Sequence, residues 1–565
     1  MKGYINGKKV FDTTAEAKNL ADYVVARLVD LGITHSFSIP GDFAFAIDHA
    51  LINNSKLQNI VSANELNASY AADGYARVKG AAILSTTYGV GELSALNGMM
   101  GAKAENNIIF HLVGFPNDSA VAKRKPIHHS LGDGEFNLFH PLSSAAACVS
   151  AIITPDNARR EMNRVIYESF KNRQPAYITI SLDNGNRTLT DNQTKDTYFE
   201  EIKSDAPALE KAASKILDRL DKAKTVVATP AFQLDRFGVT GKAIQLIEAL
   251  DIPFVIMPDS KSTISEHHKN YAGFYAGALS DPGTAEIIEN ADLVLNLGSA
   301  LWSDFNTGGF SNNLDLTKVI NIGLSYVEDK QSYFSNVYFS ELIDVLLKKV
   351  KKKGYRPQYV RPKFKDLKVS NDKLQLSEFY HQLVLFLQKE DILVVETGSS
   401  SLNMPKLPLP GEIKYHNQSL WGSIGWATPA ALGTALADTK KRTVLVTGDG
   451  SHQLTLNELG VMGRYGINPI IFCINNHGFM VERALEENPN PSYDDLAPLN
   501  YSKLPEAFGC KGWLSVKVTT GKELAEALVA ARKHLGGVYI ELVTGKYDYA
   551  GSLDFYNKHI KELYG

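Results

Sequence analysis

Residues 442–482 read RTVLVTGDGSHQLTLNELGVMGRYGINPIIFCINNHGFMVE, and they decide the fold. An apolar run from Thr443 to Thr447 ends in the sequence GDG, a helical pattern follows, and a second apolar run from Pro469 to Ile474 ends in NN. A strand, a helix and a strand at this length predict a right-handed crossover between two parallel strands. Both strands then end at one edge of the sheet, so we expect Asp449 and Asn476 to face one crevice, where α/β sheets usually hold their ligands.

The residue types at these strand ends indicate a metal-bound anion. Asp449 and Asn476 offer the hard oxygens that Mg²⁺ accepts alongside phosphate oxygens. The adjacent glycines allow close backbone approach, and a helix that begins near Ser451 points its N-terminus at an anion. Asp-Gly and Asn-Asn are each common in turns and loops. Together, with 24 residues between Gly450 and Asn475 that fit a helix and a strand, they favour a magnesium-bridged diphosphate.

The pattern of GDG, 24 residues and NN resembles the signature of the thiamine diphosphate (ThDP) enzymes. The resemblance implies that Asp449, Asn476 and the backbone carbonyl of Gly478 hold the metal. It also implies that residues beside these ligands contact the cofactor, namely Gly448, Gly450, Ser451, Phe479 and Met480.

Two further segments resemble cofactor-binding segments of that family. Glu396-Thr397-Gly398-Ser399-Ser400 follows a predicted strand, and the resemblance implies that Thr397, Ser399 and Ser400 contact the cofactor. Trp421-Gly422-Ser423-Ile424-Gly425 resembles the segment beneath the bend of the cofactor. There Gly422 would accept a hydrogen bond from the exocyclic amine, Ser423 would contact the cofactor, and Ile424 would prop the two rings into a V. For Ile424 alone, core packing is an alternative.

Glu65 is the candidate for cofactor activation. It lies in NELNASYAADGYAR (residues 64–77), which with TTYGVGELSALNG (residues 86–98) resembles the 2-keto acid decarboxylase branch of the family. The resemblance implies that this carboxyl binds a pyrimidine ring nitrogen of the cofactor and activates it. An acid in the first turn of a helix can also act simply through the helix dipole.

Four more residues match proton-transfer positions of the same branch. Two of them are the paired histidines of KPIHHSLGDGEF, His128 and His129. The others are Asp42, which follows the first predicted strand, and Glu482, six residues after the NN pair. The neighbours Phe43 and Ala44 depart from the usual Tyr and Asn. Acids and histidines around one cofactor suit proton transfer near neutral pH.

Length and patterning predict an α/β protein of three doubly wound parallel-sheet domains. A chain of 565 residues is too long for one core. We expect a pyrimidine-binding domain at 1–190, a central Rossmann-like domain at 205–350 and a diphosphate-binding domain at 370–565. In the third domain, the helix after GDG is predicted to bury an apolar face of Leu454, Leu456, Leu459, Val461 and Met462.

Composition argues against nucleic-acid and membrane partners. The net charge of −3 provides no attractive field for either. The basic run Lys348–Lys353, with Arg356, Arg361 and Lys363 after it, is interpreted as a solvated linker face. No signal peptide or bilayer-spanning run is recognisable, so we expect a cytoplasmic protein. The resemblance implies self-association as a homodimer or homotetramer, with active sites between subunits.

The predicted reaction is decarboxylation of a small-molecule 2-keto acid to an aldehyde and CO₂ with ThDP and Mg²⁺. Pyruvate-specific relatives usually carry Trp shortly after the ETG-type segment, where this chain has Ser401-Leu402. The loss of that ring favours medium, branched or aromatic side chains. Val481, Phe555 and Tyr556 complete the predicted substrate pocket. The alternatives are a pyruvate decarboxylase, a ThDP carboligase, for which the His pair is unusual, and a non-catalytic cofactor-binding protein.

Overall fold

The first domain of the computed structural model contains a wholly parallel sheet of six strands in the order β2-β1-β3-β4-β6-β5. The structure describes residues 17–191, 194–197, 202–330, 332–362, 369–551, 553–556 and 558. The strands are β1 (His35–Ser38), β2 (Gln58–Val61), β3 (Ala82–Thr87), β4 (Ile109–Phe115), β5 (Val149–Ile152) and β6 (Ala176–Ser181). The helices are α1 (Leu20–Val29), α2 (Phe45–Asn53), α3 (Glu65–Lys79), α4 (Val90–Ala104), α5 (Asp118–Ala122), α6 (Phe139–Ala145), α7 (Ala158–Asn172) and α8 (Leu182–Gly185).

The central domain has a seven-stranded sheet in the order β13-β12-β11-β10-β7-β8-β9. Its strands are β7 (Val226–Pro230), β8 (Phe254–Ile256), β9 (Tyr271–Phe274), β10 (Leu293–Leu297), β11 (Val319–Ile322), β12 (Tyr326–Asp329) and β13 (Ser332–Ser335). Its helices are α9 (Ala206–Lys222), α10 (Gln233–Arg236), α11 (Thr240–Leu250), α12 (Thr284–Glu289) and α13 (Phe339–Leu347). The last two strands pair antiparallel, so a hairpin extends one edge of an otherwise parallel sheet.

The third domain again has six parallel strands, in the order β15-β14-β16-β17-β19-β18. The strands are β14 (Ile392–Val395), β15 (Lys414–His416), β16 (Thr443–Gly448), β17 (Ile470–Asn475), β18 (Leu514–Val518) and β19 (Val538–Val543). The helices are α14 (Leu376–Phe386), α15 (Ser399–Asn403), α16 (Ala427–Ala437), α17 (Asp449–Thr455), α18 (Glu458–Tyr465), α19 (Met480–Leu485), α20 (Leu504–Ala507) and α21 (Gly521–Lys533). The prediction of three parallel-sheet α/β domains is confirmed.

The crossover between β16 and β17 differs from the predicted single amphipathic helix. It consists of α17 and α18, and the chain breaks between them at Leu456-Asn457. Leu459, Val461 and Met462 are buried as predicted, but Leu454 is 52% exposed. The prediction for Leu454 was wrong because it assumed one continuous helix, and the break between α17 and α18 interrupts the helical periodicity.

The first and third domains share one apolar core through α3 and α16. A Cβ added at Gly74 would lie 2.1 Å from the carbonyl oxygen of Ala430, and one added at Gly433 would lie 1.8 Å from that of Ala71. Glycine at both positions therefore lets the two helix backbones touch. The common core joins residues such as Tyr70 and Trp426.

The basic run after the central domain is largely exposed, as expected of a solvated face, and Lys363 lies outside the described residues. Lys352 and Arg356 both pair with Asp251, and Arg361 pairs with Glu266. These ion pairs bind the connecting segment back onto the central domain. Among the described residues, no helix combines the length and apolarity needed to cross a bilayer.

Candidate active site

The carboxyl ends of β16 and β17 bring Asp449 and Asn476 together. The strands pair in parallel, with Gly448 opposite Ile474. One carboxylate oxygen of Asp449 accepts the backbone N–H groups of Asn476, at 3.1 Å, and of Gly478, at 3.2 Å. Burial raises the pKa of the Asp449 carboxyl to about 6. The two strand ends are therefore joined directly, as the sequence predicts.

The side chain of Asn476 has the unpaired oxygen that a cation ligand needs. Its Oδ1 is buried and has no hydrogen-bond partner among the described residues. The adjacent Asn475, by contrast, donates from Nδ2 to Glu541 at 2.9 Å. A buried carboxylate and a buried, unpaired amide oxygen form a donor set that fits a hard divalent cation.

A cavity of about 260 Å³ opens beside these two residues. Its lining combines acidic and small polar residues with glycines and apolar side chains. Its lining comprises Phe305, Glu396, Thr397, Gly398, Ser399, Ser400, Leu402, Gly422, Ile424, Gly448, Asp449, Gly450, Ser451, Ile474, Asn476, Gly478, Phe479, Met480, Val481 and Glu482. The segments predicted to contact a diphosphate thus surround one space.

Ser423 and Ser401 are not part of this lining. The Ser423 hydroxyl lies 2.6 Å from that of Tyr70, across the contact between the first and third domains. The Ser401 hydroxyl donates to the Gly398 carbonyl at 2.9 Å and accepts from its N–H at 3.1 Å. In the described chain, Ser423 therefore contacts the first domain, and Ser401 stabilises the start of α15.

Glu396 lines the cavity, although no role was predicted for it from the sequence. Its carboxylate accepts the N–H groups of Thr397, at 3.1 Å, and of Ala427, at 3.2 Å. It therefore joins the end of β14 to the first turn of α16. Burial raises its pKa to about 8. The sequence signal that could have identified Glu396 is an acid at the end of a predicted strand, directly before Thr-Gly.

Glu482 lies in the first turn of α19 and lines the same cavity. Its pKa is raised by burial and, to a smaller extent, by the nearby charges of Asp494 and Glu486. A carboxyl group that keeps its proton to higher pH can donate it inside the cavity.

Asp42, His128 and His129 form a second group, in the segments that follow β1 and α5 of the first domain. Their ligating atoms all lie within 4.8 Å of one another, and His128 Nε2 is 2.8 Å from Asp42 Oδ2. The ring of Phe43 stacks on His128, with centroids 4.8 Å apart and 13° between the planes. Phe43, which departs from the family pattern, thus holds the His128 imidazole against Asp42.

Glu65 is the first residue of α3, behind an Asn64 cap that accepts the N–H of Asn67 at 2.8 Å. A Cβ added at Gly91 would lie 3.2 Å from its Oε1, so glycine there leaves space for the carboxylate. Neither Glu65 nor Asp42, His128 and His129 lines the 260 Å³ cavity. Within one chain, the predicted site residues therefore form two separate groups.

The C-terminal substrate-pocket residues are described in part. Tyr556 packs with Leu402 and Val481 against a buried cluster that contains Met480 and Leu553. Phe555 contacts Tyr556, with ring centroids 6.0 Å apart, and neither lines the cavity. Ile560 and Leu563, which follow Tyr556 at helical spacing in the sequence, lie outside the described residues.

Family models match each domain. The N-terminal TPP binding domain of thiamine pyrophosphate enzymes matches residues 18–134, the central domain matches 213–345, and the C-terminal TPP binding domain matches 396–542. The pyruvate decarboxylase of Kluyveromyces marxianus is 35% identical, over 89% of this chain and 91% of that protein. The alpha-keto-acid decarboxylase of Mycolicibacterium paratuberculosis is 33% identical, over 92% of each chain.

A solved structure shares the fold. Benzoylformate decarboxylase from Polynucleobacter necessarius superposes with a TM-score of 0.76 and 17% identity, covering 94% of this chain and 99% of that one. At this identity the likeness supports the fold alone. The relatives that match nearly the whole chain, together with the three domain models, show that the chain belongs to the family of ThDP-dependent 2-keto acid decarboxylases.

Proposed function

We propose that this enzyme converts 2-keto acids with medium, branched or aromatic side chains to aldehydes and CO₂, with ThDP held through Mg²⁺. The observation that carries the proposal is the composition of the 260 Å³ cavity. Its lining includes Asp449 and Asn476 together with the apolar side chains of Leu402, Met480 and Val481, which we assign to an apolar part of the cavity. A charged, metal-bound group and an apolar substrate side chain each have a matching surface there.

The residues of the cavity have separate roles in this proposal. Asp449, the Asn476 side chain and the Gly478 carbonyl hold Mg²⁺. Thr397, Ser399, Ser400 and the glycines around Asp449 hold the cofactor, and Ile424 supports it from below. ThDP, when bound, supplies the electron sink that decarboxylation of a 2-keto acid requires. Glu482 gives a proton to the reacting carbon, a role that its raised pKa favours.

The first domain supplies the remaining proton transfers. Glu65 binds the cofactor's pyrimidine ring through its carboxyl group and activates the cofactor. Asp42, His128 and His129 relay protons during aldehyde release, and the 2.8 Å contact between His128 and Asp42 provides the path for one of them. Ordered imidazole and carboxylate groups are efficient proton carriers near neutral pH.

Because these two groups are separate within one chain, we propose that the active site forms between two copies. Exposed apolar residues lie near each group in the sequence. Beyond His129 they are Leu131, Leu138 and Leu142, and in the third domain they are Leu420, Trp421 and Leu454. Exposed apolar side chains around an incomplete site are what a self-association surface requires.

A second candidate is a pyruvate decarboxylase. Several relatives at 33–35% identity carry that name. These names favour a short substrate, in opposition to the Ser401-Leu402 pair that stands where pyruvate-specific relatives usually carry Trp.

Kinetics with a panel of 2-keto acids separate the two candidates. We expect kcat/KM for 3-methyl-2-oxobutanoate, a longer linear keto acid, phenylpyruvate or indolepyruvate to exceed that for pyruvate. The Leu402→Trp variant should lose at least about tenfold on the long substrates and spare pyruvate, because it restores a ring next to the substrate side chain. A wild-type preference for pyruvate would identify the second candidate instead.

A further inference from the structure

A short turn of the central domain contacts two segments that each contribute a residue to the cavity lining. The turn covers Pro258–Ser260 and continues into Lys261. Of the described residues that line the cavity, Phe305 alone comes from the central domain. This turn is hydrogen-bonded to the segment that carries Phe305 and to the segment that follows Leu402.

Asp259 and the neighbour of Phe305 form a reciprocal pair. The Asn306 side chain donates from Nδ2 to Asp259 Oδ2 at 2.7 Å, and the Asp259 backbone N–H donates to Asn306 Oδ1 at 3.2 Å. Asn306 is 1% exposed, so solvent cannot replace these bonds without opening the segment. Two bonds in opposite directions fix both the position and the orientation of the Asn306 side-chain amide, in the residue next to Phe305.

The same Asn306 side chain holds its own segment in shape. Its Nδ2 also donates to the Leu301 carbonyl at 2.8 Å. Thr307, the next residue, donates its hydroxyl to the Ser303 carbonyl at 2.7 Å. Residues 301–307 therefore form an internally bonded loop, and the Asn306 side chain joins this loop to Asp259 of the turn.

On its other side, the turn binds the third domain. Lys261 is 3% exposed, and its Nζ donates to the Leu407 carbonyl at 2.6 Å. Leu407 follows α15, the helix that contributes Leu402 to the cavity. A buried ammonium requires such a partner, and Glu266 pairs with the same Nζ. The turn thus bridges the Phe305 segment and the Leu402 segment.

We propose that Asp259 is a positioning residue for substrate-size selection. Through Asn306 it fixes Phe305 at a defined separation from Leu402, and this separation sets the width of the apolar part of the cavity. The inference rests on the proposed function, since it assigns this part of the cavity to the substrate side chain. Asp259 itself touches neither the substrate nor the cofactor.

The test compares Asp259→Ala with Asp259→Asn in the full-length holoenzyme. Alanine removes the acceptor for Asn306 Nδ2, whereas asparagine keeps an oxygen at the same place. We expect Asp259→Ala to lower kcat/KM for 4-methyl-2-oxopentanoate about tenfold more than kcat/KM for pyruvate, because a long side chain loses its ordered apolar wall. The Asp259→Asn variant should restore the wild-type ratio.

Hydrogen exchange provides a readout that does not depend on activity. Amide exchange in residues 301–309 should become faster in Asp259→Ala and remain slow in Asp259→Asn. A matched control is Asp292→Ala, since Asp292 accepts the N–H groups of Lys224 and Thr225 at the opposite ends of the central strands. This control should alter neither the substrate ratio nor exchange in residues 301–309.

The outcomes separate this inference from the proposed function. Unchanged exchange in Asp259→Ala overturns the inference, and so does faster exchange with an unchanged substrate ratio in an active enzyme. If the wild-type protein decarboxylates neither keto acid, the proposed function is wrong. Amide exchange in residues 301–309 then still shows whether Asp259 holds that loop in place.

Discussion

The Asp449 carboxylate accepts the backbone N–H of Asn476 at 3.1 Å, although 26 residues separate the two in the sequence. The bond leaves the Asn476 side-chain oxygen buried and unpaired. The main chain of Asn476 thus positions Asp449, and its side chain remains available for a cation. This relationship makes Asn476, and not the adjacent Asn475, the proposed ligand.

The two asparagines therefore provide a matched pair of substitutions. Asn476→Ala removes a proposed Mg²⁺ ligand, so we expect ThDP affinity in the presence of Mg²⁺ to fall by at least about tenfold, the usual effect of losing a well-oriented metal contact. Asn475→Ala removes a hydrogen bond to Glu541 and should lower stability while sparing affinity. Calorimetric titration measures both affinities, and equal losses in the two variants would contradict the assignment.

Glu65 offers a test of cofactor activation that is separate from binding. Glu65→Gln keeps the shape of the side chain and removes its acid function, so we expect kcat to fall roughly 10²–10⁴-fold, the usual contribution of a positioned acid or base. ThDP affinity should change little. The control is Glu161→Gln, which also removes an acid from the first turn of a helix, α7, and should keep wild-type kcat. Wild-type turnover by Glu65→Gln would exclude the proposed role.

Glu396 makes stability depend on pH in a predictable direction. Its pKa in the folded protein is about 8, above the ordinary value of 4.5, so the folded state holds a proton that the unfolded state releases. Between these two values, wild-type stability should fall as pH rises, by up to about 1.4 kcal/mol per pH unit. Glu396→Gln removes this dependence.

Thermal unfolding from pH 5.5 to 8.5 measures the effect. The Tm of Glu396→Gln relative to wild type should increase with pH. Glu412→Gln is the control, because the Glu412 side chain is 68% exposed, and its Tm difference from wild type should stay constant. A constant difference for Glu396→Gln as well would show that burial does not hold a proton on this carboxyl.

The sequence predicts the parts of the site that a strand end determines. The apolar runs Thr443–Thr447 and Pro469–Ile474 were predicted as strands, and they correspond to β16 and β17. Asp449 and Asn476 follow such runs, so sheet geometry alone brings them together. The antiparallel strand β13 was missed because its burial alternates between intermediate and exposed positions, which leaves no apolar run.

Other parts of the site depend on contacts between domains, which local patterns do not encode. Phe305 lies in a turn of the central domain and reaches a cavity that the third domain otherwise forms. Asp259 and Asn306 are 47 residues apart and meet only in the folded chain. Phe43 looked like a mere departure from the family pattern, and its stacking on His128 became visible only in three dimensions.

The most direct test of the central proposal, a decarboxylase site shared between two copies, is complementation between inactive chains. Glu65→Gln alters the first domain and Asn476→Ala the third, so a mixed dimer contains one site with both wild-type residues. Co-expression in equal amounts should restore roughly one quarter of wild-type aldehyde formation from a 2-keto acid, because half of the dimers are mixed and each has one intact site of two. Asn476→Ala mixed with Asp449→Asn, both in the third domain, should stay inactive. Activity of the first mixture no higher than that of its separate components would contradict the proposal.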